Sequence, residues 1–516
     1  MSGNLTRTFD TDFRVAGESV DGGAPVSYSY DPDSLLVGAG ALSVVRDAQN
    51  GRVTGTTAGN VTDAYTYSAF GEVASYEAGI GATGLLQFAY GRDALGRIAS
   101  KVETDASGTH VFNYTYDDVA RLTQVTEDGT VVEGYGYDLN GNRTSSTNSA
   151  GIFDATFDAQ DRIETYGNLV FTYTPNGELQ SKTDTSTGAV TDYTYDALGN
   201  LRGVTLPDGT QIGYLVDGFG RRVGKTVNGV LLKQWLWRGR LQPVAELDGS
   251  GNVTARFVYL RGNDPSLIVA TGATYRLVKD ERGSVRQVID VATGVVMEDI
   301  GYDTWGRVLS DTNPGFQAFG FAGGLYESET GLVRFGARDY DAEIGRWTSK
   351  DPLGLDGGPN TYVYVENDPS NRTDPSGLYG NDWSIGHAVG QLAQKLFGGD
   401  YSEGFAPGWN DSSSSSVDSS SSSGDSSTNL FAPVCKGAPD PLDPSQGPFA
   451  NGHGDVGPAA PIRGPSKYDL CLGEATTYWA ICVTDQLQTP DQCFITARFG
   501  FLRCLANGTL PFQSLN

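Results

Sequence analysis

A short pattern keeps returning along the first half of the chain: paired aromatics, an aspartate, a glycine turn and an arginine. It reads YGRDALGR at Tyr90–Arg97, YTYDDVAR at Tyr114–Arg121 and YGYDLNGNR at Tyr135–Arg143. Further copies are FDAQDR at Phe157–Arg162, YTYDALGNL at Tyr193–Leu201 and DGFGRR at Asp217–Arg222. With the aspartate as marker, positions 93, 117, 138, 158, 196 and 217 lie 24, 21, 20, 38 and 21 apart. The double gap holds a degenerate copy, YTPNGEL at Tyr173–Leu179. Side chains alternate along a strand, so Tyr114 and Tyr116 fall on one face. The residues that follow supply a turn whose glycine takes the left-handed position. The stretch LTQVTEDGTVVEGYGY then reads as a strand, a DG turn and a return strand. One hairpin cannot bury a core, so the units must stack or roll up together. An ordinary β-sandwich offers no reason for such a period.

Composition agrees with strands and turns: 69 Gly, 26 Tyr and 22 Phe against 2 Met in 516 residues. The net charge of −26 excludes non-specific nucleic-acid binding by the bulk of the chain, because lysine and arginine must replace phosphate counterions. The longest apolar stretch, Leu35 to Val45, has eleven residues, whereas a spanning helix needs roughly 20. No membrane span is expected. The opening residues MSGNLTRTFD carry no cleavable export signal. They begin in mid-pattern, as the C-terminal part of something longer would.

From about Leu277 the pattern becomes denser, through LVKDERGSVRQVID and GYDTWGRV to a block that starts FGFAGGLYESETGLVRFGARDYDAEIGRW. Two DP-x-G turns follow, DPLG at Asp351–Gly354 and DPSG at Asp374–Gly377. In order and together, these residues resemble the Rhs (YD-repeat) family, and the block resembles its Rhs repeat-associated core domain. The resemblance covers roughly residues 28–378. It implies a mainly β fold: a spiral of YD-repeat hairpins forming a shell or partial cage, with the core domain plugging one end.

Asp351 and Asp374 are the candidate catalytic pair. Two carboxylates brought together can divide the work, one as base toward water and the other as acid toward the carbonyl under attack. Read plainly, Asp followed by Pro is a common turn former. The resemblance adds an aspartyl autoprotease that cuts its own chain after the second DP-x-G-L. Carried over, it implies Asp351 and Asp374 as the dyad, Arg338 as the basic residue that orients it, and Leu378–Tyr379 as the scissile bond. An arginine beside one carboxylate would keep that one ionised while its partner stays protonated. Such a site turns over once, and its substrate is already tethered. No cofactor is implied. Only three histidines are present (His110, His387 and His453), too few for a metal centre built on several imidazoles, and HExxH is missing. The phosphate-loop look of GFGRRVGKT at Gly218–Thr226 fails because Phe219 stands where glycine is required.

After Leu378 the composition breaks. The expected division is 1–276 repeat shell, 277–378 core domain and 379–410 start of a variable segment. A disordered Ser-rich and then Pro/Gly-rich linker follows over 411–466, and a cysteine-paired helical hairpin over 467–516. Cys471, Cys482, Cys493 and Cys504 are spaced by 11, about three helical turns, with Pro490 between the inner two. That mirror symmetry favours Cys471–Cys504 and Cys482–Cys493 bridges with Cys435 left over, although four cysteines permit three pairings and free thiols stay open. Zinc wants closer pairs.

The functional expectation is a polymorphic-toxin-like protein that encloses and releases its C-terminal segment. Its expected location is secreted or at the cell surface, and its expected partners are a secretion apparatus or toxin-complex subunits and an immunity protein. The other classes are a surface YD-repeat protein for adhesion or carbohydrate contact with a structural disulfide tail, and a truncated, non-functional gene end.

Overall fold

Each repeat aspartate closes its own turn. In the computed structural model, which describes residues 3–260 and 262–378, the Asp93 amide donates to the Arg97 carbonyl at 2.9 Å. Its Oδ1 accepts from the amides of Leu95 and Arg97 at 2.9 and 3.0 Å, and its Oδ2 takes the Arg97 Nε at 2.8 Å. The same set recurs at Asp117/Arg121, Asp158/Arg162 and Asp217/Arg221. Where asparagine replaces arginine, as at Asp138/Asn142, its Nδ2 makes the contact at 2.9 Å. Gly96 sits at φ +80, the left-handed value that favours glycine.

The second tyrosine of the motif explains the period. Tyr116 donates its hydroxyl to the Ile98 carbonyl at 2.6 Å, and its ring lies 4.5 Å from the Arg97 guanidinium. Tyr137 does the same to Leu122 and Arg121, at 2.6 and 4.7 Å. Each repeat therefore hooks onto the turn of the one before, a contact worth about 1–2 kcal/mol. The alternating half-buried and exposed residues of strand Gly108–Tyr116 place both tyrosines on the covered face, as the pattern predicts.

Thirty strands, from Leu5–Phe9 to Val308–Asp311, form one sheet in which each strand pairs antiparallel with the next. The pairing runs past Leu277 without a break, through strands Ala273–Lys279, Val285–Asp290, Val296–Tyr302 and Val308–Asp311. The strip rolls back on itself. Val61, Tyr76, Leu86 and Phe88 of its early strands share one buried cluster with Val278 and Ile289 of its late ones. Acidic side chains on the early strands meet arginines on the late ones: Glu18 with Arg238 at 3.3 Å, Asp63 with Arg276 at 2.5 Å and Glu103 with Arg286 at 2.6 Å. Further along this seam the rule breaks. Glu133 there receives the amide and hydroxyl of Thr304 at 3.0 and 3.1 Å, beside Asp303.

The block after Asp311 carries a four-stranded sheet, Leu325–Glu327, Leu332–Phe335, Arg338–Asp341 and Arg346–Trp347. Phe321, Phe335, Tyr340, Trp347 and Tyr364 pack together at its centre, Tyr340 and Tyr364 at 4.4 Å. The strip meets this block turn after turn. Asn371 accepts the Ile98 amide at 2.7 Å, and Asn367 reaches the Gly141 carbonyl at 2.8 Å. Tyr362 bonds the Gly177 carbonyl at 2.7 Å, Arg334 that of Gly220 at 3.0 Å and Tyr340 that of Trp305 at 2.8 Å. Repeats far apart in sequence therefore close around one plug. Among the described residues the only helical turns are three short 3-10 segments, and no helix is long and apolar enough to cross a membrane. Tyr379, the serine linker and all five cysteines lie outside the described residues.

Candidate active site

The two DP-x-G sequences are turns, and they converge. In the first, the Gly354 amide donates to the Asp351 carbonyl at 2.8 Å while Asp351 Oδ1 accepts from the Leu353 amide at 2.8 Å. In the second, the Gly377 amide donates to the Asp374 carbonyl at 3.2 Å. Asp374 Oδ1 accepts from the Ser376 hydroxyl at 2.8 Å and from the Leu378 amide at 3.3 Å. Each aspartate closes its own turn, and both side chains reach one arginine.

Arg338, third-strand neighbour of Asp339 in the small sheet, joins them. Its Nη2 lies 2.8 Å from Asp351 Oδ2 and 3.5 Å from Asp374 Oδ2. Its Nη1 donates to the Thr361 carbonyl at 3.1 Å and its Nε to the Gly377 carbonyl at 2.5 Å. The guanidinium lies over Trp347 at 4.1 Å. All three charged side chains are 5% exposed or less.

Burial pushes Asp351 up to about 6, ahead of the opposing pull from Arg338 and the Leu353 amide, with Asp374 adding to the rise. Burial also lowers Arg338, and the two carboxylates resist it. The expected arrangement, in which an arginine beside one carboxylate keeps that one ionised, takes a different form here. Arg338 is shared, and at Asp351 the loss of solvent outweighs it.

The backbone around the second turn is tightly held. Gly377 has φ +64, and a Cβ there would lie 2.3 Å from the Phe335 carbonyl oxygen. Ala337 donates its amide to the Ser376 carbonyl at 2.8 Å. The turn is thus laid against the hairpin that carries Arg338. Leu378 is the last described residue before the expected cut, and Tyr379 lies outside the described residues.

Sequence reasoning missed Ser376 and the Thr361 carbonyl. Ser376 occupies the variable position of DP-x-G, and Thr361 contributes only backbone, so neither carries a side-chain signal of its own. The motif GFGRRVGKT is structural, with Arg222 paired to Asp339 at 2.8 Å and Lys225 to Glu329 at 2.8 Å.

A family model described as the teneurin YD-shell matches residues 3–362. Among curated proteins, teneurin-1 of Gallus gallus is 31% identical over 267 residues, 50% of this chain and 10% of that one. Teneurin-3 of Danio rerio is 29% identical over 310 residues, 57% of this chain and 11% of its own length. The tRNA nuclease WapA of Bacillus subtilis is 31% identical over 276 residues, covering 51% and 12%. This chain spans about a tenth of the length of these curated relatives. Among solved structures, the Photorhabdus luminescens Tc holotoxin pore aligns at 18% identity and TM-score 0.59, over 73% of this chain and 21% of that chain. The TcdB2–TccC3 structure aligns at 18% identity and TM-score 0.54, over 72% and 22%. At that identity the likeness shows the fold.

Proposed function

The chain belongs to the teneurin YD-shell family, and from that premise we propose that it is a carrier that cuts itself after Leu378 and releases its own C-terminal segment. The observation that carries this reading is the shared guanidinium. One nitrogen of Arg338 reaches both Asp351 and Asp374, a few residues before the expected cut.

Asp374 takes a proton from a water whose oxygen bonds to the Leu378 carbonyl carbon, while Asp351 gives its proton to the carbonyl oxygen. The resulting diol collapses. Its carbon–nitrogen bond to Tyr379 breaks, the amine leaves with the proton that Asp374 took, and a hydroxyl proton returns to Asp351. One water is consumed, and no cofactor enters. The new Leu378 carboxyl stays beside the dyad, so the site acts once.

The likeness to WapA and to the Tc assemblies supports a toxin-like cargo in residues 379–516, delivered by a secretion apparatus or with toxin-complex subunits and matched by an immunity protein. The location that goes with this is secreted or at the cell surface. The cysteine pairs Cys471–Cys504 and Cys482–Cys493 would belong to that cargo.

The test is the intact mass of the full chain beside its Asp374→Asn variant. Wild type is expected as two fragments divided between Leu378 and Tyr379, and the variant as one full-length species. An uncut wild type overturns the reading and leaves the DP turns as closures of the plug, in keeping with a surface YD-repeat protein for adhesion or carbohydrate contact.

A further inference from the structure

The peptide immediately before the expected cut is held at both ends. Its carbonyl, that of Gly377, accepts from Arg338 Nε at 2.5 Å. Its amide, that of Leu378, points at two acceptors at 3.3 Å, Asp374 Oδ1 and the Ser376 hydroxyl oxygen. That same hydroxyl donates to Asp374 Oδ1 at 2.8 Å. Ser376 is buried, and its own carbonyl is fixed by the Ala337 amide at 2.8 Å. The hydroxyl is therefore held between the carboxylate and the backbone that the carboxylate must act on.

Within one residue, the amide nitrogen and the carbonyl carbon are ~2.5 Å apart whatever the side chain. The Leu378 carbonyl carbon therefore lies within ~5.8 Å of Asp374 Oδ1, given the 3.3 Å contact to its amide. That is the span of one bridging water, the reach a general base needs.

We infer that Ser376 is a positioning residue which, with Arg338 Nε, clamps the Gly377–Leu378 peptide, so that the cut is registered from the clamp. This rests on the self-cleavage reading above. Ser376 also donates to the carboxylate proposed as base, and a donated hydrogen bond favours the ionised form of its acceptor.

The experiment is cell-free synthesis of the full chain with labelled methionine, sampled over time and across pH. Both methionines, Met1 and Met297, lie upstream of the cut, so the label follows the full chain and the upstream fragment. Ser376→Ala should slow cutting about tenfold, a typical effect of losing one buried hydrogen bond to a charged group. The acid limb of its pH–rate profile should move to higher pH. Ser376→Thr keeps the hydroxyl and should recover most of the rate. Ser376→Cys, nearly isosteric but a weak donor, should be slow like the alanine variant, which covers the case of an alanine variant that folds poorly. Tyr379→Ala should cut at the wild-type position and rate.

Wild-type rates and pH profiles for both the alanine and cysteine variants overturn the inference. So does an upstream fragment ending at Gly377, because the clamped peptide would then be the substrate, and so does a displaced cut in Tyr379→Ala. An uncut wild type instead removes the self-cleavage reading itself.

Discussion

Replacing Glu133 by glutamine tests the seam where the rolled strip meets itself. Along that seam acids face arginines until Glu133, whose neighbours are Thr304 and the second acid Asp303. Tyr135 donates to Glu133 at 2.6 Å, Arg307 holds Asp303 at 3.1 Å, and Arg143 lies over Tyr135 and Trp305. Burial raises Glu133 from its ordinary 4.5 to about 7, and the charge on Asp303 adds to the rise. Asp303 is itself raised, first by burial. The folded protein therefore holds a proton here that the unfolded chain gives up between about pH 4.5 and 7. Stability is fully present below that window and falls as pH rises through it. At 1.36 kcal/mol per pH unit the loss is about 3 kcal/mol. Glutamine is neutral at every pH and removes the term. Denaturant unfolding of both proteins at pH 5 and pH 8 gives the comparison, with the titration of groups away from the Glu133–Asp303 pair common to both. The wild type should lose about 2–3 kcal/mol more than Glu133→Gln across that interval. Parallel pH dependences, or a wild type that gains relative to the variant as pH rises, would refute the reasoning.

Arg276→Ala leaves Asp63 buried without its partner and should cost about 3–5 kcal/mol, read as a lower denaturant midpoint. Self-cleavage needs Asp351 protonated, and Asp351 sits at about 6, so the rate should fall roughly tenfold per unit above about pH 6. A rate that climbs steadily from pH 6 to 8 would remove Asp351 from the role of acid.

The repeat was legible because its chemistry is local. Asp93 and Arg97, or Asp117 and Arg121, make their contacts within five residues of chain, and the tyrosine hook reaches only to the preceding repeat. The roll was not legible, because Asp63 and Arg276 find each other across 213 positions and nothing in either local pattern marks the partner. The continuation of strip strands to Asp311 was hidden for a related reason. Strand Val285–Asp290 is mostly buried and lacks the half-exposed alternation of the earlier repeats. At the candidate site, Asp351 and Asp374 were named from their DP-x-G motifs and Arg338 from the family resemblance. What a linear reading could not supply was that Arg338 is shared between the two aspartates, or that Ser376 touches both Asp374 and the Leu378 amide.

The tyrosine hook has a consequence for how such a strip changes length over generations. Tyr116 grips the turn behind it, and Arg121 offers the next turn to Tyr137. A duplicated pair of strands would arrive with one hook and one eye, compatible with either neighbour. Gene segments encoding whole repeats can then be gained or lost as tiles, and the tiles free to vary are those that neither line the plug nor meet the opposite layer.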